Sequence, residues 1–353
     1  METPLGQRLR ELPGPLLITG HTGFKGTWMT FLLEHLEVPV VGYSLEPEKD
    51  SLFDRAKRTG AIPEIFADIR DYEALEKFID KHKPSTIIHM AAQPLVLKSY
   101  ENPRETFDVN VMGTVNVLDI AFKKDFIKAI IVVTTDKVYR NDNSGRAFVE
   151  TDPLEGKDPY SASKVGTEAV VAAWQQIARV SSGPRVVSVR AGNVIGGGDF
   201  AENRIIPDII RSIMTGNPAI IRNPNSTRPW QHVLEPLCGY INFLESLIAG
   251  STLQSANFGP NSPQINVQSL VEIGCGTFPA LKGLVSIEPN EHMTREANTL
   301  QINSNLSKKH FDWEPKWDST KAIALTLNWW KDYLYQDSNV NDLCASDISR
   351  YFS

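Results

Sequence analysis

Tyr160 and Lys164 have the residue types and the spacing of an acid–base pair. They lie four residues apart, and a helix that begins near Tyr160 would place both side chains on one face. An ammonium group beside a phenol favours the phenolate, so Lys164 is expected to lower the pKa of Tyr160 from its usual value of about 10. The pair could then take a proton from a hydroxyl group of a substrate.

A second polar group follows the apolar run Ile131-Val-Val and consists of Thr134, Thr135, Asp136 and Lys137. Such a run is typical of a buried parallel strand, and ligands of open α/β sheets bind at the carboxyl ends of the strands. We therefore expect these side chains to reach the same site as Tyr160. For Asp136 and Lys137, a solvated turn at the end of a strand is the alternative.

A glycine-rich turn follows the first predicted strand, 16–19, and leads into a helix that ends near residue 36. Glycines at three-residue intervals allow a tight turn and the close approach of a pyrophosphate to the N–H groups that start the helix. The turn therefore predicts a dinucleotide site, and the alternative is an ordinary connection between strand and helix. The expected contacts are Gly20, Thr22, Gly23, Phe24, Lys25 and Gly26.

Strands and helices alternate along the chain to residue 190. Further strands are predicted at 38–43, 64–69, 86–93 and 185–190, and further helices at 71–83, at 110–122 and from Tyr160 onwards. This alternation indicates an α/β fold with a Rossmann-type doubly wound parallel sheet and a smaller carboxyl-terminal substrate-binding lobe. We assign 12–190 and 229–257 to the dinucleotide-binding domain, and 191–228 and 258–353 to the substrate-binding lobe.

Two of these strands end at residues suited to a cofactor. The third ends at Asp68 and Ile69, near the expected adenine, although Asp68 could equally be a helix cap or a turn residue. The fourth ends in Ala91, Ala92 and Gln93. The two alanines would let the backbone approach a cofactor closely. His89, inside the same apolar run, is interpreted as a packed strand residue and not as a catalyst.

The stretch 191–228 is rich in glycine, proline and arginine, and we interpret it mainly as a substrate-binding excursion. Planar guanidinium groups match a diphosphate through paired hydrogen bonds. A single arginine is usually a solvated surface group, but several in one loop-rich region of an acidic protein favour a binding role. The residues assigned to the substrate are Asn193, Arg204, Arg222, Arg228 and Trp230, whereas His232 is interpreted as a packing residue.

The composition of the 353 residues excludes several kinds of partner. A net charge of −6 and an isoelectric point near 5.7 argue against a nucleic-acid polymer. The three cysteines lack metal-ligand spacing, and no metal site is predicted. The sequence shows neither a signal peptide nor an apolar run of about 18 residues, so we expect a cytoplasmic protein without a membrane partner.

Six segments carry a resemblance to the extended short-chain dehydrogenase/reductases, and among these to the CDP-glucose 4,6-dehydratases. They lie within 16–317 and are Gly20-His-Thr-Gly-Phe-Lys-Gly26, His89-Met-Ala-Ala-Gln-Pro-Leu-Val96, Asn110-Val-Met-Gly-Thr114, Thr134-Thr-Asp-Lys-Val-Tyr139, Arg190-Ala-Gly-Asn-Val-Ile-Gly-Gly-Gly-Asp199 and Arg228-Pro-Trp-Gln-His-Val-Leu-Glu-Pro236. The Thr-Asp-Lys form is the most specific feature. The related dTDP-glucose dehydratases carry Thr-Asp-Glu there, and epimerases usually lack the acid.

The resemblance implies bound NAD and a reaction without net oxidation. Tyr160, as a phenolate supported by Lys164, would take the proton of the 4-hydroxyl of CDP-glucose, and Thr135 would hydrogen-bond the same group. Asp136 would be the acid for the hydroxyl that leaves carbon 6, and Lys137 would remove the proton from carbon 5 or stabilise the enolate. Hydride would pass from carbon 4 to NAD and return to carbon 6, giving CDP-4-keto-6-deoxyglucose for deoxysugar biosynthesis.

The resemblance also implies that Asn110 and Thr134 contact the cofactor, and that helices at 106–124 and 161–179 join two copies as a homodimer. Two departures leave questions open. The segment 140–159 lacks the tryptophan-rich stretch expected there, which bears on the shape of the sugar pocket. Ser44-Leu-Glu-Pro47 has no acid at the tip of the second strand, so the choice between NAD and NADP depends on the family likeness, which favours NAD.

Two other functions fit parts of the pattern. A nucleotide-sugar 4-epimerase would need only Thr135, Tyr160 and Lys164, and it leaves Asp136 and Lys137 without a task. A non-catalytic regulator that senses a dinucleotide would keep the fold. Such proteins commonly lose the Tyr-x-x-x-Lys pair, which is intact here.

Overall fold

Strands and helices alternate through most of the structure, a computed structural model that describes residues 4–181, 183–202, 204–221, 223–261, 265–288, 300–311 and 313–353. Within these residues the strands are β1 (Leu16–Thr19), β2 (Val40–Ser44), β3 (Glu64–Phe66), β4 (Thr86–His89), β5 (Ala129–Val133), β6 (Arg185–Ala191), β7 (Val194–Ile195), β8 (Ala219–Ile221), β9 (Thr227–Arg228), β10 (Gln231–His232), β11 (Ser255–Phe258), β12 (Ile265–Asn266) and β13 (Val285–Ile287).

The helices of the same residues are α1 (Gln7–Arg10), α2 (Phe24–His35), α3 (Leu52–Arg55), α4 (Tyr72–His82), α5 (Val96–Glu101), α6 (Pro103–Phe107), α7 (Gly113–Ala121), α8 (Pro159–Val180), α9 (Ile205–Thr215), α10 (Leu234–Ile248), α11 (Val267–Thr277), α12 (Asn305–Phe311), α13 (Ser319–Tyr335) and α14 (Val340–Phe352). A π-helical turn, Asp108–Met112, joins α6 to α7, so the helix predicted at 110–122 is part of a longer interrupted one. Among the described residues, every helix is too short or too polar to cross a membrane.

The central sheet of the described chain has seven strands in the order β11-β6-β5-β4-β1-β2-β3, and each neighbouring pair is parallel. The strand order reverses at β1, which pairs with both β2 and β4. Ligands of open α/β sheets bind at such a switch point, outside the carboxyl ends of the strands. The predicted α/β class with a Rossmann-type sheet is confirmed.

Helices cover both faces of this sheet because each face is apolar. One buried cluster packs α2, α10, α13 and α14 against one face, and a second packs α4, α7 and α8 against the other. Six short strands of the described chain pair outside the central sheet, as β7 with β10, β8 with β13 and β9 with β12. The excursion 191–228 thus adds α9 and short strands beside the sheet.

The helix that carries Tyr160 begins where the sequence predicts, because α8 has a reciprocal cap. Ser161 N donates to Asp158 Oδ1 at 2.9 Å, and Asp158 N donates to Ser161 Oγ at 3.1 Å. Pro159 occupies the first helical position, which its fixed φ suits. The capped helix holds Tyr160 and Lys164 one turn apart on a buried face.

Two histidines are packing residues, which confirms their interpretation. His89 is buried between two hydroxyls, with Nδ1 2.7 Å from Thr19 Oγ1 and Nε2 3.1 Å from Thr114 Oγ1. Burial, reinforced by the charge of Lys164, lowers the pKa of His89 to about 3, so it stays neutral. His232 is fully buried and packs edge-on against Trp28.

Candidate active site

Tyr160 and Thr135 meet at the carboxyl end of β5. The Tyr160 phenol lies close enough to the Thr135 side chain for that residue to influence its pKa, and both residues are buried. Burial raises the pKa of Tyr160 to about 12; the nearby Asp136 carboxylate adds to this, and the Thr135 side chain and the Arg204 charge oppose it. The expectation that Lys164 lowers this pKa is wrong for the protein alone, since desolvation of the phenolate outweighs the cations around it.

Lys164 is a buried cation behind the phenol. Its Nζ donates to Val133 O at 3.1 Å, at the last residue of β5. Burial lowers the pKa of Lys164 to about 8, against the opposing attraction of Glu168. Lys164 is therefore mostly protonated at neutral pH and contributes a fixed positive charge to the site.

Glu168 holds several buried polar side chains together beside the site. It was not predicted from the sequence. Its carboxylate accepts Arg190 Nε and Nη2, each at 2.8 Å, together with Ser188 Oγ at 2.7 Å and Thr134 Oγ1 at 2.6 Å. Burial alone would raise the pKa of Glu168, but these bonds and the Arg190 charge hold it below its usual value. The available signal was its interval of four residues from Lys164, which puts both on one helix face.

Asp136 has one engaged and one unengaged carboxylate oxygen. Its Oδ1 accepts Thr135 Oγ1 at 3.1 Å, whereas its Oδ2 is buried without a hydrogen-bond partner among the described residues. Burial raises the pKa of Asp136 to about 6, although the charges of Lys137 and Arg228 act in the opposite direction. A carboxyl with this pKa can carry a proton near neutral pH, which suits a general acid.

Lys137 lies beside that carboxyl. It is partly buried in the 3₁₀ turn Asp136–Val138, which directly follows β5. Its backbone N–H donates to Thr135 Oγ1 at 3.3 Å, which fixes the turn. Because the Lys137 charge influences the pKa of Asp136, its ammonium lies within electrostatic reach of the carboxylate. Asp136 is buried and Lys137 partly buried, so neither is a fully solvated surface charge.

The glycine-rich turn has space for backbone alone. A Cβ on Gly26 would lie 2.1 Å from Gly20 O, and a Cβ on Gly20, where φ is +78°, would lie 2.8 Å from Ala91 N. Gly23 is the N-cap of α2 and has no side chain to accept the free N–H groups that start the helix. The N–H groups of the first turn of α2 can therefore receive an anion, and this arrangement fits a dinucleotide pyrophosphate.

The side chains of that turn point elsewhere. Thr22 Oγ1 lies 2.7 Å from Ser44 Oγ and donates to Leu45 O at 3.1 Å, so it closes the tip of β2, where the sequence has no acid. Phe24 is partly buried against the main apolar cluster. Lys25 Nζ donates a hydrogen bond to the Tyr240 hydroxyl at 3.1 Å. Tyr240 was not found from the sequence, because it is one aromatic residue in an apolar helix.

Asp68 has the geometry of a turn residue, which was one of its two interpretations. Its Oδ2 lies 2.6 Å from Arg70 Nη2, its Oδ1 accepts Arg70 N at 2.8 Å, and these bonds lower the pKa of Asp68. Ile69 is buried against Gly113. Contact of Asp68 and Ile69 with an adenine stays a prediction.

Asn110 ties the end of β4 to α8. It accepts Gln93 N at 2.8 Å, and its Nδ2 donates to Gln93 O at 3.2 Å and to Ser163 Oγ at 2.8 Å. Asn110 lies in the π-helical turn, a feature that is frequent at functional sites. Ala91 and Ala92 follow Met90, the first residue after β4, and are partly buried beside the glycine turn.

Arg204 and Arg228 border the catalytic groups from the excursion. Arg204 Nη1 lies 2.8 Å from Asp199 Oδ2, and the guanidinium is close enough to Tyr160 to lower its pKa. Arg228 is buried, and its charge lowers the pKa of Asp136. The two cations therefore lie within electrostatic reach of Tyr160 and Asp136, respectively.

The other three residues predicted to bind the substrate are not placed like Arg204 and Arg228. Asn193 is partly buried, and its carbonyl accepts Gln231 N at 3.0 Å. Trp230 is in the core with Nε1 donated to Ile265 O at 3.2 Å, a position suited to packing more than to ligand contact. Arg222 lies outside the described residues.

Comparison with known proteins identifies the family. A family model described as GDP-mannose 4,6 dehydratase matches residues 17–326. The chain belongs to this dehydratase family. It is 38% identical over 347 residues to the CDP-glucose 4,6-dehydratase of Salmonella typhimurium, with 96% of each chain covered. The resemblance inferred from the six segments is confirmed.

Solved structures share the fold. The dTDP-glucose 4,6-dehydratase of Bacillus anthracis, in complex with NAD, matches with a TM-score of 0.77 and 22% identity, covering 92% of this chain and 98% of its own. The UDP-glucose 4-epimerase of Thermus thermophilus, also in complex with NAD, matches with a TM-score of 0.77 and 21% identity, covering 90% and 99%. The dehydratase and the epimerase match with the same TM-score. Similarity of fold alone therefore does not distinguish dehydration from epimerisation.

Proposed function

We propose that this chain is a CDP-glucose 4,6-dehydratase that keeps NAD bound through each turnover. The observation that carries the proposal is the Asp136 carboxyl. One of its oxygens accepts a hydrogen bond from Thr135, whose side chain lies near Tyr160, and the other is unengaged among the described residues. A base for the oxidation and an acid for a leaving hydroxyl thus lie on the two sides of Thr135. The similarity to a CDP-glucose 4,6-dehydratase supports the nucleotide and the reaction.

The cofactor assignment depends on the turn 20–26 and on the family. Its N–H groups and close-packed glycines suit a pyrophosphate. Bound NAD supplies the acceptor, and later the donor, of one hydride. Ser44 at the tip of β2 offers a hydroxyl in place of the carboxylate that would select NAD, so the preference for NAD over NADP depends on the family likeness.

Four side chains take part in the proton transfers, each in a different role. Tyr160 takes the proton of the sugar 4-hydroxyl, which Thr135 holds by a hydrogen bond, as hydride leaves carbon 4. The resulting ketone acidifies the proton on carbon 5, and Lys137 removes that proton or stabilises the charge that develops. Asp136 in its protonated form donates to the hydroxyl that leaves carbon 6. Hydride would then return to carbon 6 while a proton is restored to carbon 5, so the atoms balance and no external oxidant is consumed.

The sugar diphosphate is assigned to the arginines of the excursion. Arg204 and Arg228 lie within electrostatic reach of Tyr160 and Asp136, and paired hydrogen bonds from a guanidinium suit phosphate oxygens. Asn193 remains a candidate for a sugar hydroxyl. A diphosphate held there would place the sugar beside Tyr160 and Asp136.

A substrate panel tests the function. The purified protein is offered CDP-, dTDP-, UDP- and GDP-glucose without added nicotinamide. We expect CDP-glucose alone to lose one water by mass spectrometry, with the ultraviolet absorbance that 4-keto-6-deoxy sugars develop in base. A product of unchanged mass with carbon 4 inverted would identify an epimerase, and binding without turnover would identify a regulator. Release of reduced cofactor in proportion to product would contradict the internal hydride transfer.

Lys137→Met is expected to separate oxidation from dehydration. Because Lys137 acts after the ketone forms, the variant should still reduce its bound cofactor when CDP-glucose is added, and then stall. Loss of a general base typically costs about 10²- to 10⁴-fold. Rapid-mixing absorbance follows the cofactor, and mass spectrometry in deuterated water should show little label entering carbon 5.

Lys128→Met is the matched control, because this exposed lysine precedes β5 at the opposite end of the same strand. It should match the parent in both measurements. Release of keto-deoxy product by Lys137→Met at the parental rate would show that Lys137 is a bystander.

We also propose a homodimer joined by helices within 106–124 and 161–179. The small-residue face of α8 is exposed in the single chain and not packed on its own sheet: Ala169, Ala172 and Ala173 are exposed, and Ile177 is 43% exposed. The neighbouring helix exposes Phe107 to 41% and Met112 to 48%. Apolar side chains of this size suit contact between helices of two copies.

Ala173→Arg is expected to convert the dimer to a monomer, because a long charged side chain would prevent close helix contact. Sedimentation equilibrium at micromolar concentration measures the mass. Ala345→Arg, which places the same change at an exposed alanine of α14, should stay dimeric. A parent protein that is monomeric at this concentration would contradict the proposal.

We infer a cytoplasmic protein without a membrane partner. Cys238, Cys275 and Cys344 are free thiols, as expected in a reducing compartment.

A further inference from the structure

The segment 135–138, which carries three of the proposed catalytic residues, is held at both ends by one buried ion pair. Glu168 Oε2 lies 2.8 Å from Arg190 Nη2, and both side chains are buried. Thr134, the residue before the segment, donates its hydroxyl to Glu168 Oε1 at 2.6 Å. Tyr139, the residue after it, accepts Arg190 Nη1 at its hydroxyl at 2.9 Å. The two partners of the ion pair therefore each hold one end of the segment.

Four hydrogen bonds fix the orientation of the Glu168 carboxylate. Besides the bond from Thr134 and two from Arg190, it accepts Ser188 Oγ at 2.7 Å. A carboxylate has about four acceptor positions, so these bonds use its full capacity. Ser188 and Arg190 lie two residues apart on β6 and point to the same face of the sheet. The carboxylate is thus fixed to β6, while its backbone belongs to α8.

Helix α8 holds the end of β5 at two consecutive residues. Lys164 Nζ donates to Val133 O at 3.1 Å, and one helical turn later Glu168 accepts the hydroxyl of Thr134. The hydrogen bonds inside the segment are longer, since the N–H groups of residues 137–139 donate within it at 3.3 to 3.4 Å. The position of the segment relative to the helix therefore depends on how its two ends are held.

We propose that Glu168 and Arg190 form a clamp that aligns the segment 135–138 with Tyr160 for oxidation of the substrate. The proposal rests on the proposed function, in which Thr135 holds the hydroxyl whose proton Tyr160 takes. Both side chains must then contact one oxygen atom of the sugar. A shift of about 1 Å between the segment and α8 would slow this step by up to about 100-fold. The two residues of the clamp act through their neighbours, so they are positioning residues and not catalytic ones.

Thr134→Val tests the first end of the segment, because valine keeps the shape of threonine and removes the hydroxyl that Glu168 accepts. The ion pair stays intact, so the fold should be kept. We expect reduction of the bound cofactor by CDP-glucose, measured in a single turnover at saturating substrate, to be about 10- to 100-fold slower. Dissociation constants of substrate and cofactor should stay within a few-fold of the parent. Thr134→Ser, which keeps the hydroxyl, should restore most of the rate.

Tyr139→Phe tests the other end by removing the hydroxyl that accepts from the clamp. Backbone bonds from Glu155 N to Val138 O and from Arg140 N to Pro153 O, each at 2.8 Å, also support this end. We therefore expect a smaller loss in the oxidation rate, of less than about 10-fold.

Ser188→Ala is the matched control, because it removes another buried hydroxyl from the same carboxylate. Ser188 belongs to β6 and not to either end of the segment. The control should lose about as much thermal stability as Thr134→Val and should oxidise CDP-glucose at the parental rate. If Glu168 only supported the fold, the two variants would lose stability and rate alike, and that result would overturn the clamp. A slower turnover in Thr134→Val that came only from weaker binding would also overturn it.

Hydrogen exchange, followed by mass spectrometry, tests the clamp without substrate. In Thr134→Val the N–H groups of residues 137–139 should exchange at least about 5-fold faster than in the parent, since opening the segment no longer breaks the bond to Glu168. Exchange in β1, two strands away in the sheet, should be unchanged, and Ser188→Ala should match the parent at residues 137–139.

Unchanged exchange of residues 137–139 in Thr134→Val would overturn the clamp, whatever substrate the protein uses. A parental oxidation rate in that variant would overturn it as well. A parent that oxidises another nucleotide sugar of the panel in place of CDP-glucose would count against the proposed function, and the same comparison of rates with that sugar would decide on the clamp.

Discussion

Tyr160→Phe is expected to abolish reduction of the bound cofactor by CDP-glucose, with a loss of about 10²- to 10⁴-fold or more in the oxidation step. Phenylalanine fills the same buried volume, so the fold should be kept, but the group that takes the proton of the 4-hydroxyl is gone. Thr135 can still hydrogen-bond that hydroxyl and has no basic form near neutral pH. Every later step should fail too, because dehydration needs the ketone.

The Tyr160 phenolate is difficult to form in the protein alone. With a pKa of about 12 in the protein alone, ionising Tyr160 at pH 7 costs about 7 kcal/mol. Cationic neighbours and a positively charged nicotinamide ring act to reduce this cost. Since the phenolate is the deprotonated form, the oxidation rate of the parent should increase with pH, and Tyr160→Phe should lose that dependence together with the rate.

The measurement is stopped-flow absorbance of the reduced nicotinamide after mixing with CDP-glucose. Tyr100→Phe, which removes a hydroxyl from a tyrosine that is 41% exposed, should react like the parent. Thermal unfolding of the two variants should be similar, which separates loss of the base from loss of the fold. Rapid reduction in Tyr160→Phe would show that the oxidation base is elsewhere.

The sequence predicts best where periodicity and caps agree. The helix predicted at 71–83 is α4, Tyr72–His82, with Asp71 as its N-cap and Lys83 as its C-cap. The third strand is shorter than predicted, because the chain leaves the sheet after Phe66 and turns through the Asp68–Arg70 ion pair. The strand that leads to Thr134 and the capped start of α8 are both local patterns, so the meeting of Thr135 with Tyr160 was predictable.

What the sequence could not supply is the balance between burial and charge. The sign of the Tyr160 pKa shift depends on how much of the phenol is desolvated, which spacing does not report. The contact between Lys25 and Tyr240 joins residues 215 positions apart, and it depends on α10 packing against α2. The reach of Arg204 into the pocket depends on the path of a loop without periodic pattern.

Asp136→Asn is expected to leave the oxidation largely intact and to stop the loss of water. Asparagine is close in shape and keeps an oxygen for Thr135, but it cannot give a proton to a leaving hydroxyl. The bound cofactor should become reduced on mixing with CDP-glucose and then persist, while formation of keto-deoxy product falls by about 10²- to 10⁴-fold. Mass spectrometry of the quenched sugar should find the oxidised, undehydrated species.

The pH dependence of the parent protein gives an independent check on whether Asp136 acts as an acid or as a base. Burial raises the pKa of Asp136 to about 6, and the acid form is the protonated one. The dehydration step should therefore be fastest below pH 6 and should decline as the pH rises through that value, opposite to the trend of the oxidation. Asp142→Asn, at an exposed aspartate, should keep both trends. A dehydration rate that rises through pH 6 would assign Asp136 as a base, and parental turnover by Asp136→Asn would remove it from the reaction.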